Sequence, residues 1–227
     1  MFDAILIIIL TISVFFMMEK LYIRLPNPIL LPALTSTILL ASVLVMFHIP
    51  YETYMLGGEW INKLLGPAVV ALAIPLYKQR LTLKKYLLPI LAGVSLGAFV
   101  GILSGTGFAK WIGMDKEMIY TILPKSVTTP VAIEIASSLG GIPTLAAVFV
   151  IFAGLVGAIG GPYLIRLFRI DGPLAKGIGF GTASHAFGTV KALEQGELEG
   201  AISSVAMTLC ALITSVISSI VMTALGW

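Results

Sequence analysis

The chain has 227 residues, 58% hydrophobic and 11% charged, against about 25% charged in ordinary soluble domains. That composition excludes a soluble globular protein and describes one membrane domain spanning 1–227. A formal charge of +3 without a Lys/Arg cluster on a soluble face excludes a nucleic-acid surface, and a lone cysteine, Cys210, excludes an internal disulfide or an all-cysteine metal site.

A bilayer span needs about 20 mainly apolar residues. In chain order the sequence predicts spans near 3–18, 28–47, 63–78, 86–105, 143–166 and 200–225. The first follows Asp3 and no Lys or Arg, and Lys20 and Arg24 come after it, so it reads as a retained span rather than a signal peptide. Two further segments, 117–139 and 173–196, are apolar but interrupted. The first break is Leu123-Pro124-Lys125-Ser126-Val127-Thr128-Thr129-Pro130; the second is Gly179-Phe180-Gly181-Thr182-Ala183-Ser184-His185-Ala186-Phe187-Gly188-Thr189.

Loop charges set the expected topology. Lys78, Arg80, Lys84 and Lys85 follow the third span, and Arg166, Arg169 and Lys176 follow the fifth. Positive loops stay cytoplasmic. They share one side only if each broken segment dips in and returns to its own side. The acidic loops, with Glu52 and Glu59 or with Glu197 and Glu199, read as outer, and Lys110 and Lys116 sit outside beside Asp115 and Glu117. The expected fold is thus an all-α polytopic membrane protein of about six transmembrane helices plus two re-entrant hairpins, both termini outside. Residues 1–85 read as scaffold spans and 86–227 as a hairpin-containing core. Pairing Lys125-Ser126 with Ser184-His185 brings Thr129-Pro130-Val131 onto Gly188-Thr189-Val190. The hairpins then enter from opposite sides, an inverted repeat of the kind secondary transporters use.

Gly93, Gly97, Gly101 and Gly105 fall on one face of the fourth span and let another helix approach, and Gly154, Gly157, Gly160 and Gly161 do the same in the fifth. Helix packing is the plain reading of both sets.

The chemistry gathers at the breaks. A charge at membrane depth costs roughly 2.5–3.5 kcal/mol on insertion scales, so Lys125 needs a partner or a wet cavity. Broken backbone at that depth is tolerated where it is buried in protein or lines a cavity. Thr129 is placed to cap a half-helix with Pro130 in its first turn. Gly188-Thr189 is expected to play the same part in the second hairpin. Helix N-termini attract anions. With Lys125 they make a carboxylate-sized site, with Ser126, Thr128, Thr182 and Ser184 as hydroxyl ligands for substrate or a coupling ion. His185 titrates in the right range to couple a proton, and Glu134 is a second candidate for that role. The plainer alternatives are a snorkelling Lys125, hydroxyls bonded to their own backbone, and His185 as an interhelical donor. Lys191 and Glu194 read as solvated. No hydrolase motif is present, His48 and His185 are the two histidines, and adjacent Lys125 and Ser126 diverge on a helix. No enzyme, cofactor or metal site is expected.

At these motifs the chain resembles the LrgB/CidB family. The matching residues are Leu123 to Pro130, Gly140-Gly141-Ile142-Pro143, Ser184 to Thr189, and Glu194-Gln195-Gly196-Glu197. The resemblance covers the whole chain and the first motif is specific. It implies a bacterial cytoplasmic-membrane protein, the stand-alone B subunit, acting with a small LrgA/CidA-like membrane protein and forming a homo-oligomer such as a dimer. Family members are described as holin- or antiholin-like modulators of murein hydrolase activity and lysis; they also include the plastid glycolate/glycerate translocator and bacterial pyruvate-uptake systems. Two functions are therefore expected. One is a secondary transporter of small monocarboxylates that binds substrate through Lys125, Ser126, Thr128, Thr129, Ser184, His185 and Thr189. The other is a holin-like modulator acting through assembly with a partner.

Overall fold

The computed structural model describes residues 2–27, 30, 32–64, 67, 70, 73–78 and 80–224. Its helices are α1 (Phe2–Arg24), α2 (Pro32–Met46), α3 (Tyr51–Asn62), α4 (Ala73–Lys78), α5 (Arg80–Lys85), α6 (Leu87–Trp111), α7 (Lys116–Ile122), α8 (Thr129–Leu139), α9 (Pro143–Leu167), α10 (Pro173–Gln195) and α11 (Glu197–Ala224). No strand occurs among the described residues. Ala4–Arg24, Leu87–Trp111, Pro143–Leu167 and Glu197–Thr223 are long and apolar enough to cross a bilayer. The chain is an all-helical polytopic membrane protein. Among the described residues of the expected second span, 28–47, the α-helix runs over 15 residues, Pro32–Met46, about 22 Å at 1.5 Å per residue. The expected third span, 63–78, lies partly outside the described residues.

The chain divides into two compact units, Met1–Ala68 and Val69–Trp227. In the first, α1 packs on α2 and α3. Gly57 allows the close approach of α3, because a Cβ there would sit 2.6 Å from the Ala4 carbonyl oxygen and 2.8 Å from Ile7. One turn away, the Thr11 and Tyr54 hydroxyls lie 3.2 Å apart.

The second unit is built around α11, whose apolar window is 56% buried, against 22% for α6 and α9. Val205, Ala206, Cys210 and Ala211 of α11 join Ile90, Val94, Ala98 and Ile102 of α6 in one core. Leu123, Val127, Val131, Ala132 and Ile135 complete it. These last residues belong to the first broken segment, so that segment is held by burial of its apolar face.

Both broken segments double back. Asp115 caps α7, its carboxylate accepting from the Met118 N–H at 2.8 Å. After α8 the chain closes in a Schellman turn: Gly140 adopts φ 84°, its N–H donates to Ser137 and that of Gly141 to Ala136. A left-handed residue suits glycine. The Ile142 N–H then donates to Thr121 Oγ1 at 2.8 Å. A straight course would separate these residues by about 30 Å; the contact brings the chain beyond α8 back beside α7.

In α10 the reversal is abrupt. His185 has φ 41° and ψ −127°, a backbone region that favours glycine. Across it Gly188 packs directly on the Phe180 carbonyl, whereas eight residues of straight helix would span about 12 Å. The arms are therefore antiparallel. A Cβ on Gly177 would meet the Glu199 carbonyl oxygen at 2.8 Å, and Thr189 bonds Ser203 at 2.9 Å. Both arms thus lie along the first turns of α11.

Contacts along α6 order these pieces in depth. Gly93 faces Ile178, Gly97 faces Thr182, Gly101 faces Ser126 and Gly105 faces Lys125. Hairpin two thus climbs from the Leu87 end of α6 and hairpin one descends from the Trp111 end, and their tips meet at mid-helix. The expected inverted entry is present. One expectation is corrected. The acidic stretch 197–200 is not on the face opposite the basic loops; it lies beside Gly177, on the same face as Arg166, Arg169 and Lys176. An outer 197–200 is incompatible with the re-entry expected of 173–196: α10 returns to its starting side, so the residues that follow it stay beside the basic loop.

Candidate functional site

The two tips, α6 and α9 border an open cleft of about 620 Å³, within the usual 300–1,000 Å³ for small-molecule sites. Lys125 and Ser126 come from hairpin one, Thr182 and Ala183 from hairpin two, Gly97, Gly101 and Ser104 from α6. Phe149, Phe152 and Val156 of α9 give it an apolar wall.

Hairpin one reaches the cleft by a turn rather than a sharp corner. Leu123 and Val127 are each 1% exposed and anchor the turn, with the Lys125 N–H donating to Ile122 and that of Val127 to Pro124. This geometry directs Lys125 and Ser126 away from the core and toward α6. The Lys125 ammonium donates to the Gly101 carbonyl at 2.8 Å and lies 3.5 Å from Ser126 Oγ. An ammonium has three donors, so at least one remains for a ligand. The ion pair present among the described residues joins Lys191 and Glu194 at 2.8 Å, so Lys125 has no carboxylate partner there. A cation without a counter-ion at mid-span depth is suited to an anionic ligand.

The helix break of hairpin one falls one residue earlier than expected. Thr128, not Thr129, is the N-cap of α8. Its Oγ1 makes no capping bond and no other bond among the described residues, although the residue is only 7% exposed. Thr129 is the first helical residue, with Pro130 behind it. Glu134, further along α8, is exposed and lines neither this cleft nor the second cavity described below.

Hairpin two is tied to α9. His185 Nε2 is 3.0 Å from the Val150 carbonyl oxygen and its ring lies 5.4 Å from that of Phe187. His185 is 3% and Ser184 1% exposed. Ser184 Oγ packs directly on Gly157, and a Cβ on Gly154 would meet the His185 ring at 2.7 Å. The break at His185 starts the second arm at 186, ahead of the expected Gly188-Thr189. Thr189 Oγ1 accordingly donates back to the His185 carbonyl at 3.0 Å and meets Ser203 Oγ at 2.9 Å. Thr182, in the cleft, donates to the Ile178 carbonyl at 2.7 Å.

Of the sequence-predicted ligands, the structure brings Lys125 and Ser126 together at the cleft, with Thr182. Thr128 is buried beside them in sequence but does not line it; Ser184, His185 and Thr189 are engaged with α9 and α11. Ser104 and the α9 wall were missed. Ser104 donates to the same Gly101 carbonyl as Lys125, at 3.2 Å. Its signal was present in the glycine spacing: the four α6 glycines pack not on a full helix but on the two hairpin arms.

A profile of the LrgB-like family matches residues 11–224. The uncharacterized protein YxaC of Bacillus subtilis (strain 168) is 55% identical over 212 residues, 93% of this chain and 92% of its own. YwbG of the same strain is 42% identical over 214 residues, 94% of this chain and 95% of its own. The holin-like protein CidB of Staphylococcus aureus (strain Mu50 / ATCC 700699) is 42% identical over 215 residues, 95% of this chain and 94% of its own. No solved structure matches. With the match running from the first helix to the last, this chain belongs to the LrgB-like family.

Proposed function

We propose that this chain is a holin-like membrane protein, in the sense in which its CidB relatives are named, and that it acts as a carrier of small monocarboxylates rather than as a wide pore. The relatives' names support the first half. One observation carries the second: among the described residues Lys125 stands without a carboxylate partner, in a cleft where two opposed hairpin tips meet. A buried ammonium–carboxylate contact is charge-assisted and about twice as strong as a neutral hydrogen bond. Glycolate, glycerate and pyruvate fit that cleft. Opposed hairpins on a mid-depth site are the arrangement by which such carriers expose it to one side at a time. Altered carboxylate flux would then be the route to any effect on lysis. In this reading the protein resides in the bacterial cytoplasmic membrane, residues 86–227 move substrate, and a CidA/LrgA-like protein or a second copy assembles with it.

Purified protein in liposomes separates the two halves. Uptake of labelled glycolate, glycerate or pyruvate, with a trapped dye of several hundred daltons retained, is the expected result. Release of the dye with no preference among small solutes would establish a pore and remove the carrier reading. Repeating the assay with and without a proton gradient tests for proton coupling, and repeating it with His185→Gln and Glu134→Gln tests those two residues as coupling groups.

A further inference from the structure

A second cavity, of about 320 Å³, adjoins the cleft. The two share Val156, Gly157, Gly179 and Ala183 as walls, so they meet at the depth of the hairpin-two tip. From there the second cavity follows the gap between α9 and the first arm of α10. Its far end is lined by Ile170 and Lys176, where the chain turns between those helices. It therefore runs from mid-span to the face that carries Arg166, Arg169 and Lys176. At ~30 Å³ per water its volume equals that of about ten waters, which is room for a small carboxylate, and Lys176 and Ser184 are the polar side chains in an otherwise apolar lining.

The glycines along this gap are of two kinds. Gly157 and Gly161 are packing sites: Ser184 Oγ fills the space over the first, and a Cβ on the second would meet the Phe180 ring at 2.6 Å. They hold the arm against α9. Gly160 and Gly179 have nothing within 4 Å of a would-be Cβ. Their missing side chains are what keeps the gap open. Gly107, Gly113, Gly140 and Gly172 also face open space, but none of them lines either cavity; Gly160 and Gly179 are the two whose open side falls on this gap.

We propose that the second cavity is the passage by which a small carboxylate moves between the Lys125 cleft and the basic face, with Lys176 at its mouth and Gly160 and Gly179 as its open wall. This rests on the carrier reading above. Lys176 supplies the one positive charge in the lining, which draws anions to the entrance.

The test uses the full chain in sealed membrane vesicles of both orientations, in a Cys210→Ala background that removes the one native thiol. The probe is a small membrane-impermeant sulfonate-bearing methanethiosulfonate. Ala183→Cys, at the neck between the cavities, should react when the probe is added on the basic face. Adding Gly160→Leu should slow that reaction at least tenfold. Gly107→Leu, which also faces open space but lines neither cavity, should leave it within about twofold. Lys176→Cys, at the mouth, should react equally with and without Gly160→Leu, which distinguishes a blocked passage from a collapsed protein. The proposal is overturned if Ala183→Cys reacts as fast from the opposite face, does not react from the basic face, or is indifferent to Gly160→Leu. Because modification rather than flux is read, a chain that admits the probe but moves no carboxylate would remove the carrier reading alone.

Discussion

The two hairpins solve the same problem in opposite ways. Both must turn a chain around inside an apolar layer, where unpaired backbone groups are costly. Hairpin one uses an open turn over 123–128, closed by its own backbone bonds, and presents Lys125 and Ser126 to the cleft. Hairpin two reverses at a single residue, His185, and presents its tip side chains to α9: Ser184 against Gly157, His185 against the Val150 carbonyl. One tip offers charge, and the other is fastened. Sequence position in a broken segment therefore does not tell which hydroxyl or imidazole faces a ligand; the direction of the turn does.

Lys125→Met is the sharpest way to break that comparison. It keeps the stem and removes the charge. Losing one partner of a buried charge pair typically costs 2–5 kcal/mol, so carboxylate affinity measured by equilibrium binding should fall about 30-fold or more. Folding should be at least as good as in the parent, since a costly half-buried charge at mid-span is gone. A well-expressed Met variant with parental affinity would place the ligand elsewhere.

Gly157→Val attacks the fastened tip. Its Cβ overlaps Ser184, and overpacking of this kind costs about 1–3 kcal/mol. The variant should lose thermal stability in detergent by several degrees, while Gly107→Val should not. Equal stability of the two would mean that hairpin two is not held by this contact.

The smallest effect is expected at His185. His185→Ala loses the bond to Val150, worth about 1 kcal/mol, and should lower the melting temperature by a few degrees with carboxylate affinity within about threefold of the parent. His185→Gln retains a donor and should recover part of the stability. If the Ala variant instead matched Lys125→Met in lost affinity at unchanged stability, His185 would be a ligand and the two tips would be alike.

The class of protein was legible from composition alone, because a bilayer imposes one rule on every span: apolar outside, hydrogen bonds inside. Family membership, the two breaks and the singular position of Lys125 followed from local sequence for the same reason, since a lysine and two prolines in an apolar run violate that rule visibly. Re-entry was inferred from basic loops alone, and the acidic stretch 197–200 was misplaced by the same counting. Which hydroxyls face the cleft was beyond sequence, because it depends on turn geometry: a one-residue shift of the α8 cap, from Thr129 to Thr128, and a reversal at His185 rather than at Gly188. The glycines of α6 and α9 read as packing positions, which all but Gly160 are, but what they pack against was decided by tertiary structure. A missing side chain in a sequence does not say whether the space beside it is filled by a neighbour, as at Gly157, or left open, as at Gly160; that depends on chain brought there from 20 or more residues away.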